Sequence, residues 1–69
     1  MKEIKISTEY IELEQLLKFA GLVYKGSDAK MLISSGAVLV NGQAELRRGK
    51  KLRPGDVVEY GGIEYRITE

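Results

Sequence analysis

Three turn dipeptides divide the second half of this chain into short segments. Asn41-Gly42, Pro54-Gly55 and Gly61-Gly62 each separate stretches rich in β-branched and aromatic residues. Asn-Gly and Gly-Gly favour two-residue hairpin turns, because both central residues of those turns need a positive φ. A long helix cannot form across these turn-forming residues, so this half of the chain predicts antiparallel strands. The predicted strands are 38–40, 57–60 and 63–67.

The first half has a different hydrophobic period. Ile4 and Ile6 alternate with polar residues, which predicts an edge strand with one buried face. From Glu12 onward the apolar spacing becomes three and four, which places one apolar stripe on a helix that ends at Gly21. The residues of this stripe are Leu13, Leu16, Leu17 and Ala20. Phe19, Tyr60 and Tyr65 are predicted to lie in the core or on strand faces.

A second helix is predicted directly after the first. Ser27 is a suitable N-cap, Asp28 favours the first helical turn, and Gly36 is a natural stop. The apolar stripe of this helix is Ala29, Leu32 and Ile33. Helices of about nine residues are unstable alone, so both must pack on the strands. The pattern predicts a small single α+β domain over residues 1–69, ordered β-α-α-β-β-β, with two short helices on a mainly antiparallel sheet.

Composition excludes several classes of function. The chain has no Cys and no His, so it holds no disulfide, no thiol or imidazole nucleophile and no zinc site with those ligands. Its longest apolar runs, such as 37–40, are far short of the ~20 residues that span a bilayer. We expect a cytoplasmic protein that is not an enzyme, and the sequence leaves its oligomeric state open, with a monomer as the default. No metal, cofactor, membrane or small-molecule substrate is predicted.

The charges are separated along the chain. Residues 25–53 hold seven basic and two acidic side chains, whereas the remainder holds four basic and eight acidic ones. The two parts thus carry net charges of +5 and −4. A focused positive potential attracts phosphates even when the net charge is only +1. This asymmetry predicts an anionic partner that binds one face.

The most concentrated positive charge lies around Gly49. Five cations fall within seven residues, where a flexible backbone lets several side chains face one phosphate track: Arg47, Arg48, Lys50, Lys51 and Arg53. Lys30, on the second predicted helix, and Lys25, just before it, extend the set. The alternative is that this basic loop is merely a solvated surface.

The order of these motifs resembles a known family. Val40-Asn41-Gly42 at a strand end, Leu52-Arg53-Pro54-Gly55-Asp56 before another strand, and the preceding helix pair are similar to the RNA-binding domain named after small-subunit ribosomal protein S4. The resemblance covers about residues 12–60, with an additional strand on each side. It implies an L-shaped element of two helices and a hairpin, the αL motif, that grips structured RNA. Within that family, this chain resembles the short, free-standing members that are linked to ribosomal RNA or ribosome assembly.

The chain departs from the family pattern at two places. Glu12-Leu13-Glu14 stands where the family often has Arg-Leu-Asp, and Lys25-Gly26 where it commonly has Ser-Arg. The expected RNA contacts therefore come from Lys25, replacing that Arg, from Lys30 and from the Arg47–Arg53 loop.

Three further residues are candidates for RNA contact. Tyr24, taken as the aromatic nearest the basic cluster, is a candidate for stacking on a base, although such a Tyr more often packs against the helix pair. Asn41 and Gly42 are candidates for contact with a phosphate, although they are most simply turn residues. Asp56 is expected to cap its turn rather than to act in catalysis.

Two other functions remain open at this point. Small β-grasp sulfur carriers also have a Val-Asn-Gly strand end, but their chemistry needs a C-terminal Gly-Gly. Here Gly61-Gly62 is internal and the chain ends in Thr68-Glu69, which disfavours that class. The second alternative is a protein-interaction module that uses an acidic face or an unpaired strand edge.

Overall fold

A five-stranded sheet and a two-stranded sheet carry the two helices in the computed structural model, which describes residues 1–69. The strands are β1 (Lys2–Lys5), β2 (Ile11–Glu12), β3 (Leu39–Val40), β4 (Gln43–Ala44), β5 (Lys51–Leu52), β6 (Val57–Tyr60) and β7 (Ile63–Thr68). The larger sheet has the order β1-β7-β6-β3-β4, and β2 pairs with β5. Only β1 and β7 are parallel, so the predicted α+β class with a mainly antiparallel sheet is confirmed.

The N-terminal strand lies at the edge of the sheet, as predicted. Its register places Ile4 opposite Ile67, and both side chains are buried on the same face. Because side chains alternate across a strand, Lys5 and Arg66 remain exposed. The period-2 pattern therefore identified both the strand and its buried face.

The two predicted hairpin turns are confirmed. Asn41 and Gly42 have φ values of 51° and 86°, and Gly61 and Gly62 have values of 62° and 81°. Positive φ at both central residues fits the twist of the flanking strands. Gly61-Gly62 therefore closes the β6–β7 hairpin, and β7 pairs with both β1 and β6. This internal position is incompatible with a free diglycine tail of the sulfur-carrier type.

The helices are α1 (Leu13–Phe19) and α2 (Gly26–Ser34). Ser27 is not the N-cap of α2, which is a correction to the sequence prediction. The cap is Lys25, whose carbonyl accepts the Ala29 N–H at 3.1 Å, so Ser27 lies in the first turn. Neither helix is long and apolar enough to cross a bilayer.

The core lies between the helices and the sheet. Its buried side chains come from both helices and from most strands: Ile4, Ile6, Leu13, Leu16, Leu17, Ala29, Ile33, Val38, Val40, Leu52, Val58, Tyr65 and Ile67. The stripes predicted for the two helices supply five of them, while Ala20 and Leu32 are only partly buried. Phe19 was expected in the core or on a strand face. That prediction is wrong, because α1 ends at Phe19 and leaves the side chain 68% exposed.

Three strands of two residues each were not predicted. They are β2, β4 and β5. Because two residues carry no detectable period, sequence patterning cannot reveal them. The pairing of β2 with β5 places Ile11 opposite Leu52 and Glu12 opposite Lys51. It therefore fixes the end of the basic loop against the residues that precede α1.

A small hydrogen-bond network joins two of the turns. Asn41 Oδ1 accepts the Val57 N–H at 2.9 Å, and Asn41 Nδ2 donates to Asp56 Oδ1 at 3.1 Å. Asp56 Oδ2 accepts the Arg53 N–H at 2.8 Å across the Pro54-Gly55 turn. The expected turn-capping role of Asp56 is thus confirmed. The network also holds the backbone at the end of the basic loop.

This network predicts a measurable loss of stability in Asp56→Ala. The variant removes the carboxylate acceptor of the exposed Arg53 N–H and Asn41 amide, and because water can replace it, the loss should be about 1–2 kcal/mol of unfolding free energy. Urea unfolding followed by circular dichroism measures it. Glu64→Ala, which removes an exposed carboxylate that makes no hydrogen bond, is the matched control and should stay within about 0.5 kcal/mol of the parent. Equal unfolding midpoints for Asp56→Ala and the parent would contradict this role.

Candidate nucleic-acid interface

The basic loop forms an open groove with no apolar lining residue. Its volume is about 520 Å³, and its walls are Arg47, Gly49, Lys50, Lys51 and Arg53. We call this surface the basic groove. Four of the five loop cations predicted from the sequence line it together, and the fifth, Arg48, lies beside it in the loop. Such a concave cationic surface attracts phosphate groups.

The start of α1 positions this loop. A helix begins with N–H groups that have no partner within the helix. Here the Leu13 N–H donates to the Lys50 carbonyl at 2.9 Å, and the Glu14 N–H donates to the Arg48 carbonyl at 3.0 Å. The same loop continues into β5, which pairs with β2. The groove therefore has a fixed backbone, although its side chains are exposed except for that of Lys50, which is half-buried.

Two of the predicted cations are already paired with carboxylates. Arg47 makes a bidentate contact with Glu45, with Nε–Oε2 and Nη2–Oε1 distances of 3.0 and 3.2 Å. Arg48 Nη2 pairs with Glu14 Oε1 from α1. The Arg48 hydrogen bond lowers the pKa of Glu14, and the Arg47 side-chain and backbone hydrogen bonds lower the pKa of Glu45 to about 2. Hence Arg47 and Arg48 carry less free charge than the sequence implied.

The remaining groove cations are freer. Lys50 and Lys51 have no carboxylate oxygen within 4.0 Å, and Arg53 only reaches Glu9 at that limit. These three side chains are the ones that can exchange water and counterions for phosphate without breaking a close ion pair.

Lys25 and Lys30 extend the positive surface from the groove onto α2. A Cβ placed on Gly26 would lie 2.9 Å from Glu14 Oε1 and 3.5 Å from Arg48 Nη2, so α2 begins beside that ion pair. Lys25 directly precedes Gly26. Lys30 follows it by four residues and so shares its helix face. Both lysines are exposed and have no ion pair.

The aromatic residue at the groove is Tyr10, not Tyr24. Lys51 Nζ lies 4.9 Å and Arg53 Cζ 5.7 Å from the centre of the Tyr10 ring. Tyr24 instead lies on the connection between the helices, where it lines a cavity with Lys18, and it is 96% exposed. It therefore neither packs on the helix pair nor contacts the groove cations. Tyr10 was not among the predicted contacts, because no local pattern in the sequence relates it to a loop about forty residues away.

The turn residues Asn41 and Gly42 are adjacent to the site through hydrogen bonds. Both polar ends of the Asn41 side chain are engaged within the protein, by the Val57 N–H and by Asp56. Asp56 in turn holds the Arg53 backbone. Gly42 is exposed at the turn itself. Their observed role is to support the end of the groove, and direct phosphate contact from either remains a prediction.

The two ion pairs predict an acid-sensitive stability. Folding lowers the pKa of Glu45 from 4.5 to about 2, so the folded state binds fewer protons than the unfolded one. The contribution of the Glu45–Arg47 pair to the free energy of unfolding is fully present above pH 4.5 and is lost as the pH falls toward about 2. Urea unfolding of the parent and of Glu45→Gln at several pH values tests it. The stability difference between them should shrink below pH 4.5, and a constant difference down to pH 2 would contradict the pairing.

Three comparisons with known proteins bear on this geometry. The family model described as the S4 domain matches residues 4–68. The chain belongs to the S4 domain family. This S4 chain is 49% identical over 60 residues to a protein named probable ribosome maturation protein RlbA from Bacillus subtilis (strain 168), with 87% of this chain and 84% of that one covered. The family-model match to residues 4–68 extends beyond the segment 12–60 in which the sequence motifs lie.

A second relative has a solved structure. The chain is 38% identical over 59 residues to the putative RNA-binding protein YbcJ from Escherichia coli (strain K12), covering 86% of this chain and 84% of YbcJ. The solution structure of YbcJ, described as revealing an αL motif involved in RNA binding, aligns with a TM-score of 0.74. That alignment has 30% identity and covers 100% of this chain and 89% of YbcJ. The resemblance inferred from the motifs is thus confirmed, and so is the αL fold.

Proposed function

We propose that this protein is a non-catalytic RNA-binding protein that docks on structured RNA, in particular ribosomal RNA, and takes part in ribosome maturation. The observation that supports it best is the basic groove, in which every side chain lining the wall is a cation held on a fixed backbone. Family membership and the printed names of two relatives, a ribosome maturation protein and an RNA-binding protein, support the same function. Their kinship also supports action in the cytoplasm.

The contacts proposed are mainly to phosphates. The main phosphate contacts would come from Lys50, Lys51 and Arg53. Lys25 and Lys30 would contact phosphates further along the same RNA strand, from the start of α2. Duplex RNA hides its base edges in a narrow major groove, so recognition of a folded RNA by shape and phosphate spacing is expected. Arg47 and Arg48 would contribute less, because each already has a carboxylate partner.

Equilibrium binding tests the proposal directly. The purified protein is titrated with deproteinised ribosomal RNA and with duplex DNA of equal phosphate content, each at two salt concentrations. Tight binding with a clear preference for RNA is expected. Equally weak binding to RNA and DNA would show nonspecific electrostatic attraction only and would contradict recognition of structured RNA. The absence of binding at low salt would contradict the proposal and favour a protein partner.

The number of free cations predicts the salt dependence. If the five cations that have no ion pair shorter than 4.0 Å each displace a counterion from phosphate, log Kd should rise with log salt with a slope of roughly 3.5 to 4.5. These cations are Lys25, Lys30, Lys50, Lys51 and Arg53. Fluorescence anisotropy of a labelled RNA over a salt series measures the slope. A slope near zero would show that phosphate contacts do not drive the binding.

A further inference from the structure

A second cavity adjoins the basic groove and is lined by two aromatic side chains. Its volume is about 490 Å³, and its walls are Thr8, Glu9, Tyr10, Ile11, Gln15 and Phe19. We call it the aromatic cavity. The Tyr10 ring forms part of this cavity and also lies under Lys51 and Arg53, two walls of the groove. The two depressions therefore lie on either side of the contact between Tyr10 and these two cations.

The exposure of Phe19 in this cavity is not explained by packing within the protein. It is 68% exposed at the end of α1, although a side chain of this size normally gains stability from burial. Tyr10 is only partly buried. These two aromatic side chains, beside Lys51 and Arg53, form a surface suited to a flat, uncharged ring whose attached phosphate is anionic, and the phosphate would compete with Glu9, 4.0 Å from Arg53, for that arginine.

We propose that the aromatic cavity binds one unpaired nucleobase of the RNA, stacked on Tyr10 and covered by Phe19, while the adjoining phosphate lies on Lys51 and Arg53. This inference rests on the proposed function and adds a subsite to it. Gln15 lies in the same wall, and its side-chain oxygen already accepts the Glu12 N–H at 3.4 Å. Its amide NH₂ is thus left as a donor to the edge of a base.

The occupant follows from charge as well as shape. The cations over Tyr10 would attract the phosphate that accompanies a nucleobase, whereas an apolar peptide side chain would gain nothing from them. A base inside a duplex has both faces stacked, so only a bulged, looped or terminal nucleotide can enter. The cavity would therefore give a protein that otherwise reads shape a preference for RNA with an unpaired nucleotide.

Two RNA hairpins test the proposal. They share one stem, and one of them carries a single bulged 2-aminopurine, whose fluorescence falls when it stacks. The protein should bind the bulged hairpin ~5- to 150-fold more tightly than the paired one, as expected for stacking one base on an aromatic side chain. It should also quench the bulge fluorescence. Equal affinities without quenching would overturn the subsite and leave the proposed function standing, whereas no binding to either hairpin would overturn both.

Four variants locate the base. Tyr10→Leu and Phe19→Ala should each lose most of the preference and the quenching, while Tyr10→Phe should keep both because the ring remains. Tyr24→Leu removes an exposed tyrosine outside the cavity and should behave as the parent. Phe19→Ala removes a mostly exposed side chain, so it retains its fold even if Tyr10→Leu does not. The assignment would be overturned if Phe19→Ala and a folded Tyr10→Leu protein kept the full preference for the bulged hairpin and the full quenching of its fluorescence. Loss of that preference and quenching in Tyr24→Leu would also overturn it.

Discussion

Replacing Lys50, Lys51 and Arg53 together with Gln should weaken binding to structured RNA at least ~10-fold at low salt, because three counterion-displacing contacts are removed. The slope of log Kd against log salt should fall by about 2 to 3 in the same variant. These three are preferred to the whole loop, since Arg47 and Arg48 hold Glu45 and Glu14. Removing those arginines would confound lost binding with lost folding.

A charge-matched variant controls for net charge. Lys2, Lys5 and Arg66 lie on the paired strands β1 and β7, are exposed and have no carboxylate within 4.0 Å. Changing these three to Gln alters the net charge equally, and we expect less than a ~3-fold change in affinity, the loss of long-range attraction alone. Equal losses in both triple variants would show that total charge rather than the groove binds RNA. Parent-like affinity in the groove variant would remove the groove from the site.

Leu52→Ala should cost about 2–5 kcal/mol of unfolding free energy, the usual range for truncating a fully buried leucine. Leu52 is 0% exposed, belongs to β5 and stands opposite Ile11 in β2. It therefore connects the basic groove to the core. A chain of 69 residues has a stability of only a few kcal/mol, so much of the variant should be unfolded at 37 °C.

Leu46→Ala is the control for this substitution. Leu46 precedes the groove but is 62% exposed, so its truncation should change the unfolding free energy by less than about 1 kcal/mol. Thermal and urea unfolding followed by circular dichroism measure both variants. A Leu52→Ala protein as stable as Leu46→Ala would contradict the packing of β5 against the core.

Local signals in the sequence were sufficient to predict most of the fold. Two-residue hairpin turns require positive φ, which Asn41-Gly42 and Gly61-Gly62 adopt at low cost, so both hairpins followed from the dipeptides between the predicted strands. The apolar spacing from Leu13 identified α1 in the same way. The start of α2 was misplaced because the N-cap residue, Lys25, makes no side-chain cap hydrogen bond, so no preferred capping residue marks the start in the sequence.

The candidate site depended on contacts that no local pattern encodes. The cluster of basic residues was visible in the sequence, but Arg48 and its partner Glu14 are 34 residues apart. Glu14, at the start of α1, is one of the departures from the family pattern, and it pairs with an arginine of the loop. Tyr10 reaches Lys51 and Arg53 only because β2 pairs with β5.

The most direct test of RNA binding at the basic groove is ultraviolet crosslinking of the protein to deproteinised ribosomal RNA, with the crosslinked peptides identified by mass spectrometry. We expect crosslinks within residues 47–53 and at Tyr10, and their loss in the Lys50, Lys51 and Arg53 triple variant. Crosslinks confined to the exposed faces of β1 and β7, unchanged in that variant, would contradict the account.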